Sequence, residues 1–154
     1  MDKNEFAART ERVKARLYRT AFLYVGSENM ALDAVGEAVY RGFISLHKLR
    51  QPEFFETWIT RILINECKKE IRRGKREQPL QSIPENSEDM FDVLPLTEAL
   101  SRLPYELREV IILRYFTGFT LAETARSLEI PQGTVVTRQR RALRLLKLEL
   151  SQGE

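Results

Sequence analysis

Apolar and polar residues alternate along this chain with the period of an α-helix, and no stretch alternates like a strand. Phe6, Val13, Leu17, Ala21 and Tyr24 keep helical spacing and predict a first helix over 4–25, ended by Gly26. Ser27 is placed to cap a second, over about 28–48, with Leu32, Val35, Val39, Phe43 and Leu46 as its apolar stripe. Pro52 starts a third, to about 73, whose apolar face is Phe55, Trp58, Ile59, Ile62 and Leu63. Residues 96–102 and 105–116 predict two more helices, and Gly118 suits a left-handed C-terminal cap.

The clearest signal is 120–146. Thr120 and Glu123 form a capping box, and Leu121, Ala125 and Leu128 share one face. Glu129-Ile130-Pro131 stops that helix, because proline disfavours a helical residue before it. A longer helix then runs from about Gln132 toward Leu150. Two such helices joined by a short turn predict a helix-turn-helix, whose second helix enters the major groove of DNA.

Charge strengthens that expectation. From Gln132 to Lys147 the charged residues are Arg138, Arg140, Arg141, Arg144 and Lys147, with no acid. Val135, Ala142, Leu146 and Leu150 can face a core, while Thr134, Thr137, Arg138, Arg141 and Arg144 project elsewhere. Arginine neutralises phosphates and pairs with guanine. A second basic cluster, Lys68, Lys69, Arg72, Arg73, Lys75 and Arg76, ends the third helix. Net charge is only +3, so its distribution carries the argument. Residues 78–94 change character: two prolines, four acids and no Lys or Arg. The expectation is an all-α chain of two small helical domains, 1–77 and 95–154, joined by a flexible acidic linker over 78–94.

Composition removes several classes. Cys67 and His47 are the sole cysteine and histidine, so neither an intrachain disulfide nor a Cys/His zinc site is available. No paired carboxylates or nucleophile–histidine arrangement suggests catalysis, and no catalytic residue, metal or cofactor is expected. No apolar run is long enough to span a bilayer and no signal peptide is visible, so the expected location is cytoplasmic.

Three blocks narrow the function further. Ala31-Leu32-Asp33-Ala34-Val35-Gly36-Glu37-Ala38-Val39 resembles the acidic core-binding helix of region 2 in the extracytoplasmic-function class of bacterial sigma factors. Phe55-Glu56-Thr57-Trp58-Ile59-Thr60-Arg61-Ile62, then Asn65 and the basic run, resembles the segment that melts and reads the −10 element. Leu103-Pro104, Arg108, Ile112-Leu113-Arg114-Tyr115, Gly118, Thr120 and Gly133-Thr134-Val135 resemble region 4, which reads the −35 element. The chain departs from the family pattern at Gly36, where Gln is usual, and at Val136, where a basic residue is usual.

The resemblance implies an alternative sigma factor that binds core RNA polymerase and promoter DNA. Asp33 and Glu37 would meet the core, although pairing with Arg41 on a solvated face is the plainer reading of those acids alone. Asn65 would hold the extruded −10 base, with Arg61, Lys68, Lys69, Arg72 and Arg73 on phosphates; Trp58 is read mainly as core. Thr137, Arg140 and Arg141 would read −35 bases beside Thr134, with Arg138 and Arg144 on phosphates. The family also implies an anti-sigma partner, often membrane-bound. The alternative is a free-standing helix-turn-helix regulator, which would need a dimer helix that the chain does not offer. A protein-binding adaptor or an enzyme stands further back.

Overall fold

A computed structural model describes residues 1–74 and 94–152, with side chains over 1–74 and 95–147. The linker expected at 78–94 lies outside the described residues except for Leu94, as do Lys75 and Arg76 and the side chain of Leu150. Among the described residues every regular element is helical.

The first half is three helices: α1 (Lys3–Val25), α2 (Glu28–Ile44) and α3 (Phe55–Gly74). Asp2 caps α1 by accepting from the Glu5 N–H, and Gly26 ends it in the left-handed conformation at φ 75°. Ser27 caps α2 by accepting from the Met30 N–H. Two 3-10 turns, Leu46–Lys48 and Pro52–Phe54, bridge to α3.

The buried face of α2 is Ala31, Ala34, Val35, Ala38 and Gly42. The expected stripe of larger residues is therefore only partly turned inward: Val35 is buried, Val39 and Leu46 are half-buried, and Leu32 and Phe43 are exposed. Small side chains let the α2 backbone approach α3 closely. A Cβ added at Gly42 would sit 2.5 Å from Ile59 Cδ1, a distance no packed core accepts. On α3, Phe55, Ile59, Leu63, Ile64 and Cys67 are buried, while Trp58 packs half-buried against that core.

The second half comprises α4 (Leu94–Ser101), α5 (Tyr105–Ile111), α6 (Leu121–Leu128) and α7 (Gln132–Gln152). Helix α5 continues into a π-helical turn, Ile112–Phe116, closed by the Thr117 N–H donating to the Ile112 carbonyl at 2.9 Å. Gly118 takes φ 85°, as expected for the turn before α6. The capping box of Thr120 and Glu123 is formed in both directions. Glu129 ends α6 at φ 57°, the one non-glycine residue at positive φ among those described. The Ile130 N–H donates back to the Ala125 carbonyl, closing a Schellman turn before Pro131.

The halves do not stand apart. The C-terminal part of α1 packs on α4 and the π turn, and α3 packs on α6.

Candidate nucleic-acid interface

Helix α7 is held from beneath by Val135, Ala142 and Leu146, all buried. Arg114 fixes its position by donating from Nε to Gln139 at 2.9 Å and from Nη1 to the Phe119 carbonyl at 2.7 Å. This anchoring leaves Thr137, Arg140, Arg141 and Arg144 exposed on one face. Thr134 and Arg138 are half-buried on its flank and, with Thr137 and Arg141, line a concavity of about 460 Å³ against Pro104 and Leu107. All six expected −35 residues thus lie on the outward side of one helix. Val136 is half-buried beside them.

On α3 the arrangement differs. Asn65 is exposed and shares a concavity of about 460 Å³ with Arg41, Ile44, Lys68, Lys69 and Arg72. Four of the five expected phosphate contacts are already paired with carboxylates. Lys69 Nζ lies 3.1 Å from Glu66 and Arg73 Nη1 lies 3.3 Å from Glu70, each three residues earlier on the helix. Lys68 Nζ lies 3.1 Å from Glu109 on α5, and Arg61 Nε lies 3.5 Å from Glu129 at the end of α6. Arg61 also donates from Nη1 to the Leu128 carbonyl at 2.7 Å.

Asp33 and Glu37 are exposed on α2. Glu37 faces Arg41 at 3.4 Å, and Arg41 also bridges to buried Glu66 on α3 at 3.1 Å. The acids form a connected patch that reaches Glu70. Burial raises the Glu70 carboxyl; Arg73 lowers it, and Asp33, Glu66 and Glu37 raise it again. Beside this patch, α1 and α2 enclose an open groove of about 1050 Å³ floored by Phe6 and Val35, with Leu32, Gly36, Tyr40 and Phe43 along it. Gly36 lines this groove at mid-helix in open space, where an added Cβ would meet nothing within 4 Å.

Apart from Arg61 and Lys68, the residues that join the two halves carried no individually expected role. Arg108, 6% exposed, donates to the carbonyls of Tyr24, Ser101 and Leu103. Its guanidinium also lies over the rings of Tyr24 and Tyr105, which stack on each other. Burial lowers the pKa of this guanidinium, while the same burial, with Glu109 beside it, raises the Tyr24 phenol. Tyr24 donates to Glu109 at 3.1 Å, Thr20 and Thr117 share a hydroxyl hydrogen bond of 2.7 Å, and Ser127 donates to the Thr57 carbonyl at 3.1 Å. Arg126 covers the Phe54 ring at 3.5 Å. One sequence signal pointed this way: the charged pair Arg108-Glu109 leads directly into the apolar run Val110-Ile111-Ile112-Leu113. Cys67 is fully buried, and burial, then Glu70 and Glu66, push its thiol pKa up, which suits an inert core residue.

Among the described residues no group of acids, histidines and cysteines could hold a metal, and no helix is long and apolar enough to cross a membrane.

Comparison with known proteins places both halves. Residues 10–77 match the family model for sigma-70 region 2, and residues 99–148 match that for sigma-70 region 4. The chain is 33% identical over 143 residues to RNA polymerase sigma factor SigV of Bacillus subtilis, covering 90% of this chain and 86% of that protein. It is 30% identical over 155 residues to ECF RNA polymerase sigma factor SigL of Mycobacterium tuberculosis, covering 90% and 84%. Two solved structures share the fold. CnrH, in complex with the cytosolic domain of CnrY, matches with TM-score 0.80 at 21% identity, over 99% of this chain and 92% of that one. The sigma factor RpoE of Bartonella quintana, in complex with the anti-sigma factor NepR, matches with TM-score 0.77 at 22% identity, over 96% and 97%. A free-standing helix-turn-helix regulator is not favoured, because it would leave the region 2 match without a purpose.

Proposed function

The chain belongs to the sigma-70 family and, within it, to the extracytoplasmic-function sigma factors, which makes it an alternative sigma factor for transcription initiation; from that premise we infer how its surfaces divide the work. Residues 1–77 form the domain that binds core RNA polymerase and the −10 element. Residues 95–154 form the −35 domain, and 78–94 tether the two. The chain acts by binding, in the cytoplasm, and the polymerase core supplies the chemistry.

Asp33 and Glu37 are the core-binding acids. Both are exposed, Asp33 makes no ion pair among the described residues, and Glu37 holds only the exposed pair with Arg41, which a basic surface can displace. The groove beside them offers apolar surface continuous with that contact. Asn65 receives the extruded −10 base, since its amide both donates and accepts, and Arg61, Lys68, Lys69, Arg72 and Arg73 follow the strand's phosphates. On α7, Thr137, Arg140 and Arg141 reach base edges, Thr134 supports them, and Arg138 and Arg144 take phosphates. An anti-sigma protein holds the chain inactive; of two neighbours of its fold, RpoE was solved with the anti-sigma factor NepR and CnrH with the cytosolic domain of CnrY.

The observation that carries this reading is the concavity at Asn65, where one amide and the cations Lys68, Lys69 and Arg72 converge. The test is in vitro transcription by core polymerase with and without the chain. Transcripts should require the chain. Asn65→Ala should slow initiation on duplex promoters, and a pre-melted −10 bubble should restore part of the loss, because unpairing is then already done. An equal defect on both templates would remove Asn65 from strand opening.

A further inference from the structure

Glu66 is an acid set into the cationic surface assigned to the −10 strand. It follows Asn65 on α3, its side chain is 3% exposed, and two cations reach the same oxygen, Oε2. Lys69 Nζ, one turn along α3, donates to it at 3.1 Å, and Arg41 Nε reaches it from α2, also at 3.1 Å. Arg41 has a second acid, Glu37, at 3.4 Å, but that pair is exposed and weak. Arg41, Glu66 and Lys69 all line the concavity at Asn65. A buried carboxylate left without a cation is strongly destabilising, so Glu66 must keep one of the two. They differ in how far they can move. Lys69 carries a point charge on a long flexible stem, whereas Arg41 presents a planar guanidinium that is always charged.

We propose that Arg41 is a positioning residue for the −10 contact: by holding Glu66 from α2, it releases Lys69 to follow the strand's phosphates. The inference rests on the assignment of Lys69 to that strand. When a phosphate approaches, Lys69 can swing away from Oε2 because Arg41 continues to neutralise the carboxylate. Without Arg41, Lys69 is the cation left on Glu66, and moving it to a phosphate would strand a buried charge. The same carboxylate, unneutralised, would also repel the strand beside Asn65. Arg41 therefore acts on DNA through Glu66 and Lys69, not by touching it. On α3 alone, Glu66 and Lys69 form an ordinary intrahelical pair three residues apart. The guanidinium that frees the lysine comes from the neighbouring helix.

The test measures the rate of initiation on a duplex promoter by core polymerase saturated with the chain, over a range of salt concentrations. Saturation, checked by titration, removes differences in the folded or core-bound fraction. Arg41→Ala should slow initiation roughly tenfold and flatten its salt dependence, because one phosphate contact is lost. Arg41→Lys keeps a cation on Glu66 and should recover most of the rate. In a Glu66→Gln background no buried charge needs neutralising, so Arg41→Ala should cost less than about twofold and leave the salt dependence as it was. If Arg41→Ala costs the same factor in both backgrounds, Arg41 meets the phosphates itself and the proposal is wrong. A slower rate with unchanged salt dependence would reduce Arg41 to support of the fold and overturns it too, as does no slowing at all. Lys69→Ala, which leaves Arg41 on Glu66, separates these failures from failure of the −10 assignment. It should slow initiation by itself. If it does while Arg41→Ala fails, the assignment stands and only the role of Arg41 falls. A Lys69→Ala chain as fast as wild type removes Lys69 from the strand, and the proposal with it.

Discussion

Helices α3 and α7 carry similar runs of Lys and Arg, yet they present them differently. On α3, acids lie three residues before Lys69 and Arg73, and two further acids reach Lys68 and Arg61 from the other half of the molecule. On α7 the stretch from Gln132 to Lys147 holds no acid, and among the described residues no carboxylate lies within ion-pair range of Arg138, Arg140, Arg141 or Arg144. The availability of a basic surface is thus set by where the acids fall, not by the count of cations. The Arg61–Glu129 pair, whose acid is exposed, is weak and yields to a phosphate at little cost, whereas the pair of Lys68 with buried Glu109 yields only when the interface opens.

The largest expected effect lies at the boundary between the two regions. Arg108→Ala should destabilise the chain by about 3–5 kcal/mol, because it strips donors from the buried carbonyls of Tyr24 and Leu103 and from that of Ser101. Urea unfolding of the whole chain measures it, and a loss under 1 kcal/mol would mean that the halves are not joined through this residue.

A smaller effect separates the two roles on the free surface. Arg141→Ala should cost about 1–3 kcal/mol of −35 affinity and relax preference at one or two base pairs. Arg144→Ala should weaken every −35 sequence alike and reduce the salt dependence. Transcription of a saturated −35 library with both variants decides between them; a changed sequence preference in Arg144→Ala would reverse the assignment.

The acid patch gives a pH-dependent prediction. Burial holds the Glu70 carboxyl above its usual pKa, with Asp33, Glu66 and Glu37 adding to the shift and Arg73 opposing it. A raised carboxylate pKa means that the folded chain binds that proton more tightly than the unfolded chain. Its contribution is present at low pH and lost as pH rises through the folded pKa. Glu70→Gln should therefore gain stability relative to wild type as pH increases from 4 toward 7, read from denaturant midpoints. A pH-independent difference would show that Glu70 is not strained by its neighbours.

The smallest effect is at Gly36. Gly36→Ala should stabilise the free chain by about 0.5–1 kcal/mol, since helix interiors favour alanine and the new methyl meets nothing within 4 Å. Calorimetry checks the gain, and a loss would place an unseen contact at the groove.

Helix α2 marks where sequence periodicity misleads. Leu32 and Phe43 keep the spacing of a core face, yet of the expected stripe on α2 only Val35 is buried, beside Ala31, Ala34, Ala38 and Gly42. Hydrophobicity ranks side chains, but close helix packing selects small ones when the neighbouring helices α3 and α1 already supply Ile59 and Phe6. The groove left by that choice could not be read from α2 alone.

The sequence by itself determined the local elements. Gly26, Ser27, the Thr120–Glu123 box and Pro131 act through neighbours a few residues away, so each was legible at its position. It also determined that α7 would be cationic, with no acid between Gln132 and Lys147. Only the tertiary structure decided that Glu109 and Glu129 meet Lys68 and Arg61, across 41 and 68 positions of chain, and that Arg108 faces inward. The physical reason is range. Caps and helical faces are fixed by contacts within a turn or two, whereas a salt bridge depends on where the packing of separate helices leaves its two ends.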